Sequence, residues 1–383
     1  MSMQSELRQL LPVEAYVSPD WFRREQAELF GKHWAFVGMA EDFMRAGDYR
    51  CVQVGRHSLV VLRDKEGGLR AFHNSCRHRG TRLLEGSGNV GSVLTCFYHN
   101  WTYDLAGRLI GVPQEREQFP GLDKSCLGLR PAKVAAWKGM VFAHGEPDAG
   151  PFEAWLGAFP QKLGPHDPER MVEVADVLYR VRANWKIVVE NFIDGYHLFH
   201  LHKHSLGDGD FTRQRWEPTG RHWTFYRPLK EGVTHDKLLL PVIAGVPSNF
   251  GAGAYVLFPS FCLYETATYW LTFNVIPVEA GLSHVHVRTR ADPRALERQA
   301  LPMPPPDQMP AHIIAAKGPH ASMRILPKDV HPLESNNVTL EDVYACEAMQ
   351  AGLESAGAAI GPLSRHESPL PFFQRQVLDH VAA

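Results

Sequence analysis

The sequence predicts an α+β protein: a small all-β domain followed by a larger domain that mixes strands and helices. Three observations carry that prediction. Residues 38–150 hold short β-like runs, among them Cys51-Val52-Gln53-Val54 and Ser58-Leu59-Val60-Val61-Leu62, separated by Gly-Gly, Asp-x-x-Gly and Pro-Gly turns. Farther along, Tyr269–Ile276 and His284–Arg288 alternate in polarity as strands do. Between these regions, residues 184–202 contain a run so apolar that Ile187, Val188, Val189, Phe192 and Ile193 would cover nearly every direction of a helix, which therefore has to be buried. A chain of 383 residues is long enough for two or three domains.

Taken in order, residues 1–37 form an N-terminal segment. Its stretch from Pro19 to Phe30 has helical periodicity, with proline and an acid at the start. The all-β domain follows over 38–150. Within it, Gly86-Ser87-Gly88-Asn89-Val90-Gly91 satisfies the spacing of a dinucleotide-binding loop, but that motif must follow a strand and open a helix of a βαβ unit. A hairpin loop is the expectation there, with no nicotinamide or flavin site. The run Gly145-Glu146-Pro147-Asp148-Ala149-Gly150-Pro151 marks the exit, and the larger domain occupies 151–383. Leu301 to Pro310 contains five prolines and is expected to be a loop, because proline cannot sit inside a helix or central strand.

The all-β region carries the first chemistry. Cys76 and His78 lie in Cys-Arg-His-Arg, and Cys96 and His99 in Cys-Phe-Tyr-His, with seventeen residues between the pairs. Two thiolates and two imidazoles suit a [2Fe–2S] cluster with the cysteines on one iron and the histidines on the other. They also suit a tetrahedral zinc, but zinc pairs usually keep two to four residues between ligands, whereas Cys-x-His keeps one. The larger domain carries a second set. In the buried run, Glu190, Asp194 and His197 fall at i, i+4 and i+7, one face of a continuous helix. Such a polar stripe is costly unless its members bond one another or a metal. His202 follows five residues after His197, with His200 and His204 as further donors nearby. Two histidines and a carboxylate on one side of an octahedral iron leave positions open for dioxygen and substrate.

The runs His73-Asn74-Ser75-Cys76-Arg77-His78-Arg79-Gly80 and Cys96-Phe97-Tyr98-His99-Asn100-Trp101 resemble the two ligand loops of the Rieske non-haem iron oxygenases, specifically the catalytic subunits of the ring-hydroxylating group. Asp194, His197 and His202 resemble that family's Asp-x-x-His-x-x-x-x-His motif. The resemblance implies that Cys76, His78, Cys96 and His99 hold the cluster and that His197 and His202 bind a mononuclear Fe(II). It further implies that Asp194 bridges an iron-ligand histidine to a cluster-ligand histidine of a neighbouring subunit. Residues 337–353 resemble the family's late helix, which makes Asp342 the candidate third ligand, with Glu341 in reserve. Thr339 and Asp342 equally make a helix-start signal. The implied larger domain is a helix-grip, START-like fold, a curved antiparallel sheet around a helix, with the N-terminal helix packed on it. Also implied are a homotrimer, dioxygen as cosubstrate, and NAD(P)H acting only through a separate reductase, with or without a ferredoxin.

Composition is consistent with this expectation. A net charge of −2 with scattered basic residues gives no case for nucleic acid. No stretch has the eighteen or so apolar residues of a spanning segment, and no secretory pattern opens the chain, so the cytoplasm is expected. Cys51, Cys126, Cys262 and Cys346 are then expected to be reduced and buried. For the substrate, the aromatics between Phe250 and Phe273 suit a planar ring, the favoured reading. They also suit a quaternary ammonium of the choline, betaine or carnitine type, through cation–π attraction. A Rieske electron carrier without oxygenase activity is the alternative from another class. Asn191, Tyr196 and Trp101 are candidate supporting residues.

Overall fold

The computed structural model describes residues 7–234, 240–325 and 330–381. The chain divides into two compact units, one made of residues 25–155 and the other of residues 1–24 with 156–383. Residues 25–37, grouped above with the N-terminal segment, thus fall in the β-rich unit.

That unit contains ten strands: β1 (Ala35–Met39), β2 (Asp48–Val54), β3 (His57–Arg63), β4 (Leu69–His73), β5 (Ser87–Asn89), β6 (Val93–Thr95), β7 (Thr102–Asp104), β8 (Leu109–Gly111), β9 (Pro131–Trp137) and β10 (Met140–His144). They form a seven-stranded sheet in the order β1-β10-β9-β4-β3-β2-β5 and a three-stranded sheet β6-β7-β8. The run Leu59-Val60-Val61-Leu62 does not alternate in polarity because both faces of β3 are covered. Leu59 and Val61 enter one core with Phe43 and Val141, while Val60 and Leu62 enter another with Phe72, Trp101 and Tyr103. The glycine-rich run at 86–91, expected as a hairpin loop, instead contains the short edge strand β5, which pairs with β2, and no helix follows it.

The second unit is built on one antiparallel sheet of eight strands: β11 (Val172–Val181), β12 (Arg215–Thr219), β13 (His222–Pro228), β14 (Phe250–Leu257), β15 (Phe261–Glu265), β16 (Tyr269–Glu279), β17 (Leu282–Ala291) and β18 (Ile313–Lys317). Their order is β12-β13-β14-β15-β16-β17-β11-β18. The runs at 269–276 and 284–288 lie in the β16–β17 hairpin. The proline-rich stretch at 301–310 contains neither strand nor α-helix, only a short 3-10 turn at Pro306–Gln308.

Against this sheet lies the helix Trp185–Ile193. Asn184 caps it by accepting a hydrogen bond from the Lys186 N–H at 3.0 Å. Phe192 packs toward the sheet on Phe273 and Tyr264, with ring centroids 5.7 and 6.5 Å away. On its other side Trp185 meets Phe373 of the helix Pro369–Val381. The expected polar stripe is not a single helical face. Glu190 is buried and accepts hydrogen bonds from the Tyr16 hydroxyl at 2.9 Å and the Gln374 amide at 2.9 Å, away from the metal-binding candidates. Burial pushes its carboxyl up to about 7. The helix then ends at Ile193. Asp194 is extended, and its carboxylate accepts the Tyr196 N–H at 2.6 Å, a local turn that competes with helix continuation.

Candidate functional site

In the β-rich unit, the two ligand loops close by the same backbone device. The Cys76 carbonyl accepts from Gly80 N–H at 2.9 Å, and the Cys96 carbonyl from Asn100 N–H at 2.8 Å. Each cysteine N–H donates five residues onward, Cys76 to Thr81 at 2.8 Å and Cys96 to Trp101 at 2.9 Å. Both closing residues are left-handed, Gly80 at φ +78 and Asn100 at φ +54, a conformation for which glycine and asparagine are the usual residues. The loops bring both thiols into one buried space, where Cys96 lies against Cys76. The rings of His78 and His99 sit 4.6 Å apart. Nδ1 of His78 is buried with no hydrogen-bond partner, as expected of a nitrogen reserved for a metal. Around the thiols, the Tyr103 hydroxyl accepts from Arg77 N–H at 2.9 Å and reaches Cys76 Sγ at 3.3 Å. Trp101 stacks on His78 at 4.8 Å.

The second site assembles around the loop after the Trp185–Ile193 helix. His197 and His202 converge with Asp342 so that one ligand atom from each lies within 4.8 Å of the others. Asp342 Oδ1 is 2.9 Å from His202 Nε2 and 3.6 Å from His197 Nε2. Neighbouring ligands of an octahedral ion, each about 2.1 Å from it, are themselves about 3 Å apart, so the three atoms fit a shared cation. Each imidazole is held from behind. His197 Nδ1 meets Asp194 Oδ2 at 3.0 Å, and His202 Nδ1 meets Glu341 Oε2 at 2.6 Å. Ser205 Oγ donates to the same Glu341 oxygen at 2.6 Å. Carboxylates behind metal-binding histidines fix the tautomer and raise ligand basicity. Burial alone would lower the affinity of His202 for a proton, but Asp342 and Glu341 outweigh it and the net shift is upward.

The two acids of the helix Val338–Leu353 thus divide the work, Asp342 facing both Nε2 atoms and Glu341 orienting His202. The cap residue of that helix is Asn337. His200 and His204 are exposed and stand outside the cluster. Of the supporting candidates, Asn191 lines the cavity beside the trio, Trp101 packs on His78, and Tyr196 is exposed. No cysteine is in a disulfide; of the four expected to be buried, Cys262 and Cys346 are, Cys51 is only partly buried, and Cys126 is exposed because it sits on a short surface turn.

A cavity of about 110 Å³ opens beside the trio, lined by His197, His202 and Asp342 together with Phe192, Trp223, Phe225, Tyr264, Tyr269 and Phe273. Three of the eight aromatics from the 250–273 region therefore face it. Strand alternation explains the selection: Tyr269, Leu271 and Phe273 share one face of β16, and Trp270 takes the other. The same period on β13 presents Trp223, Phe225 and Arg227. Of the two arginines in this wall, Arg227 had no signal in the sequence beyond that alternation, and Arg324, on a short turn after β18, had none. Among the described residues, no helix is long and apolar enough to cross a membrane.

These features coincide with known proteins. Residues 168–383 match the ring hydroxylating alpha subunit (catalytic domain) family, and residues 33–130 match the Rieske [2Fe-2S] domain. The chain belongs to the ring-hydroxylating alpha-subunit family, with a Rieske [2Fe–2S] domain preceding a catalytic domain of the kind that binds a mononuclear iron. It is 34% identical over 188 residues to the chlorobenzene dioxygenase subunit alpha of Cupriavidus sp., covering 48% of this chain and 42% of that protein. It is 31% identical over 219 residues to the carnitine monooxygenase oxygenase subunit of Acinetobacter pittii, covering 56% of this chain and 57% of that one. The alignments span about half the length of these curated relatives. In fold it is similar to naphthalene 1,2-dioxygenase from Rhodococcus sp. bound to indole, with a TM-score of 0.74 at 19% identity over 97% of this chain and 94% of that one. It is also similar to a quaternary ammonium Rieske monooxygenase in complex with L-carnitine, with a TM-score of 0.71 at 22% identity over 96% and 94%.

Proposed function

We propose that this chain is the terminal component of an oxygenase that consumes dioxygen and electrons from a separate reductase to hydroxylate an organic substrate, most readily one bearing an aromatic ring. The observation that carries the reading is the trio His197, His202 and Asp342, each imidazole backed by a carboxylate, at the wall of an aromatic-lined cavity. A pure electron carrier has no use for such a cavity. Hydroxylation or dealkylation of a quaternary ammonium compound is the second reading, supported by the relatives that act on betaine and carnitine and by aromatic faces able to attract a cation.

In this reading Cys76, Cys96, His78 and His99 hold the cluster, and His197, His202 and Asp342 hold the iron. When bound, the cluster supplies electrons singly and the iron supplies the redox chemistry of dioxygen reduction. The remaining work belongs to the chain. Asp194 and Glu341 keep a proton on Nδ1 of each histidine, leaving Nε2 as the ligand atom. The side chains of Phe192, Phe225, Leu271 and Phe273 exclude water and press a planar substrate toward the trio. Asp194 keeps one oxygen on His197 and one on the backbone. We assign it the bridge toward a cluster histidine of the neighbouring subunit in a cytoplasmic homotrimer.

The test is iron and acid-labile sulfide per chain on anaerobically purified protein, with the reduced-state EPR spectrum, for wild type and for His197→Ala with His202→Ala. About three irons and two sulfides, falling to about two irons with the Rieske signal intact, is the expected result. About two irons in both proteins after Fe(II) loading would reduce the chain to an electron carrier.

A further inference from the structure

The cavity beside the trio contains two positive charges that the proposed chemistry does not use. Arg227 is only 4% exposed, and its Nε has no hydrogen-bond partner. Arg324, on a short turn after β18, has both Nε and Nη2 buried and unpartnered. Each guanidinium lies over an aromatic ring, Arg227 over Phe211 at 4.8 Å and Arg324 over Tyr269 at 5.0 Å. The Tyr264 hydroxyl accepts a hydrogen bond from Arg227, one acceptor for a fork whose Nε remains without one. Both arginines line the cavity.

An arginine cannot escape burial by losing its proton, so its charge persists and requires a counter-charge or a full set of acceptors. Among the described residues, no carboxylate pairs with either one. The two acids of the cavity wall are already engaged, Asp194 with His197 and the Tyr196 N–H, and Asp342 with the two histidines. Stacking on a ring satisfies the face of the guanidinium but not its in-plane N–H groups. It also holds the planar fork still, with its donors at the edge, as bidentate recognition of a carboxylate requires. Strand alternation places Arg227 on the same face as Trp223 and Phe225, so the basic group and the apolar wall belong to one surface.

We infer that the substrate carries a carboxylate, which Arg227 and Arg324 receive in the cavity while its apolar or cationic remainder lies against the aromatic wall toward His197, His202 and Asp342. This rests on the reading of the cavity as the substrate site and narrows the substrate to acids: an aromatic acid, or a zwitterion that joins a carboxylate to a quaternary ammonium. Neutral hydrocarbons and cations without a carboxylate are disfavoured, because either would leave both charges without a counter-charge and the buried N–H groups at Arg227 Nε and at Arg324 Nε and Nη2 without an acceptor.

The test compares matched ligands by isothermal titration of anaerobic holoprotein without reductase: benzoate against benzamide, and glycine betaine against choline. It is repeated on His197→Ala with His202→Ala, so that direct ligation of iron by the acid is separated from capture by the arginines. At least one acid is expected to bind about ten- to a hundredfold more tightly than its carboxylate-free partner, in both proteins. Preference for benzoate marks an aromatic acid, and preference for betaine a zwitterion. Arg227→Gln and Arg324→Gln are each expected to erase most of the difference, and Arg227→Lys to retain part of it. The Rieske EPR signal and a thermal melt report whether each variant folds; if a Gln variant does not, the wild-type ratio and the Lys variant decide. Equal binding within each pair, no acid bound at millimolar concentration, or a preference that survives both Gln changes would overturn the inference. The iron count above tests the oxygenase reading separately, because the binding ratio needs neither turnover nor a loaded iron site.

Discussion

Replacing Glu341 by Gln tests whether the carboxylate behind His202 sets the strength of the iron site. The contact is short, 2.6 Å, and both side chains are almost fully buried. A hydrogen bond to a charged partner in such surroundings contributes about 1.5–3 kcal/mol, and glutamine keeps an acceptor oxygen and nearly the same shape while losing the charge. Losing the charged share of that interaction corresponds to roughly a 10- to 100-fold weaker Fe(II) affinity, the range known for partners that stand behind metal ligands. Ser205, which donates to the same oxygen, can still donate to the amide carbonyl, so the fold is expected to persist. The assay is anaerobic competition for Fe(II) against a chelator of known affinity, with the Rieske EPR signal as an internal control. Affinity within threefold of wild type would refute the assigned role of Glu341. Loss of the cluster signal together with the iron would instead mean a global defect.

Asp194→Asn should keep the Tyr196 turn but give His197 Nδ1 a poorer acceptor, so Fe(II) affinity is expected to weaken about tenfold while turnover, assayed after saturating Fe(II) loading, stays about 100-fold below wild type; full recovery of turnover on loading would remove its special place in electron delivery. Glu190 has a carboxyl near 7 in the fold against 4.5 in a free chain. A raised acid stabilises the fold below pH 4.5 and loses that contribution as pH rises through 7, a difference of about 3 kcal/mol. Melting midpoints of Glu190→Gln should therefore fall less between pH 5 and 8 than those of wild type, and parallel curves would contradict the assignment. Tyr103→Phe deletes the hydroxyl beside Cys76 Sγ; loss of about 1 kcal/mol of hydrogen bonding to the reduced cluster should lower its potential by roughly 40 mV, measured by redox titration with EPR detection.

The parts legible in the sequence were those with short-range spacing. Cys-x-His and Cys-x-x-His lie in loops closed by their own backbone, so four residues suffice to announce them. The His197 and His202 pair reads the same way, because both lie in one local run. Asp342 was reachable only through a resemblance, since nothing local distinguishes a carboxylate that meets its partners from 140 residues away. The face assignment of Glu190 went astray for a definite reason: periodicity cannot see that Asp194 bends back to its own backbone and ends the helix. Arg227 was hidden because one charged residue in an alternating strand reads as solvent-facing. Only the tertiary fold shows that this face of β13 is interior.

Glu190 has a practical consequence. The helix that leads into Asp194 is fastened from behind through Tyr16 on one side and Gln374 of the helix Pro369–Val381 on the other, and Gln374 in turn receives the Leu10 N–H at 2.8 Å. Removal of Leu10–Tyr16 or of the helix Pro369–Val381 is therefore expected to loosen the mounting of the loop that carries Asp194, His197 and His202 from a distance. An inactive preparation of a trimmed variant would say nothing about substrate choice until its iron content had been checked.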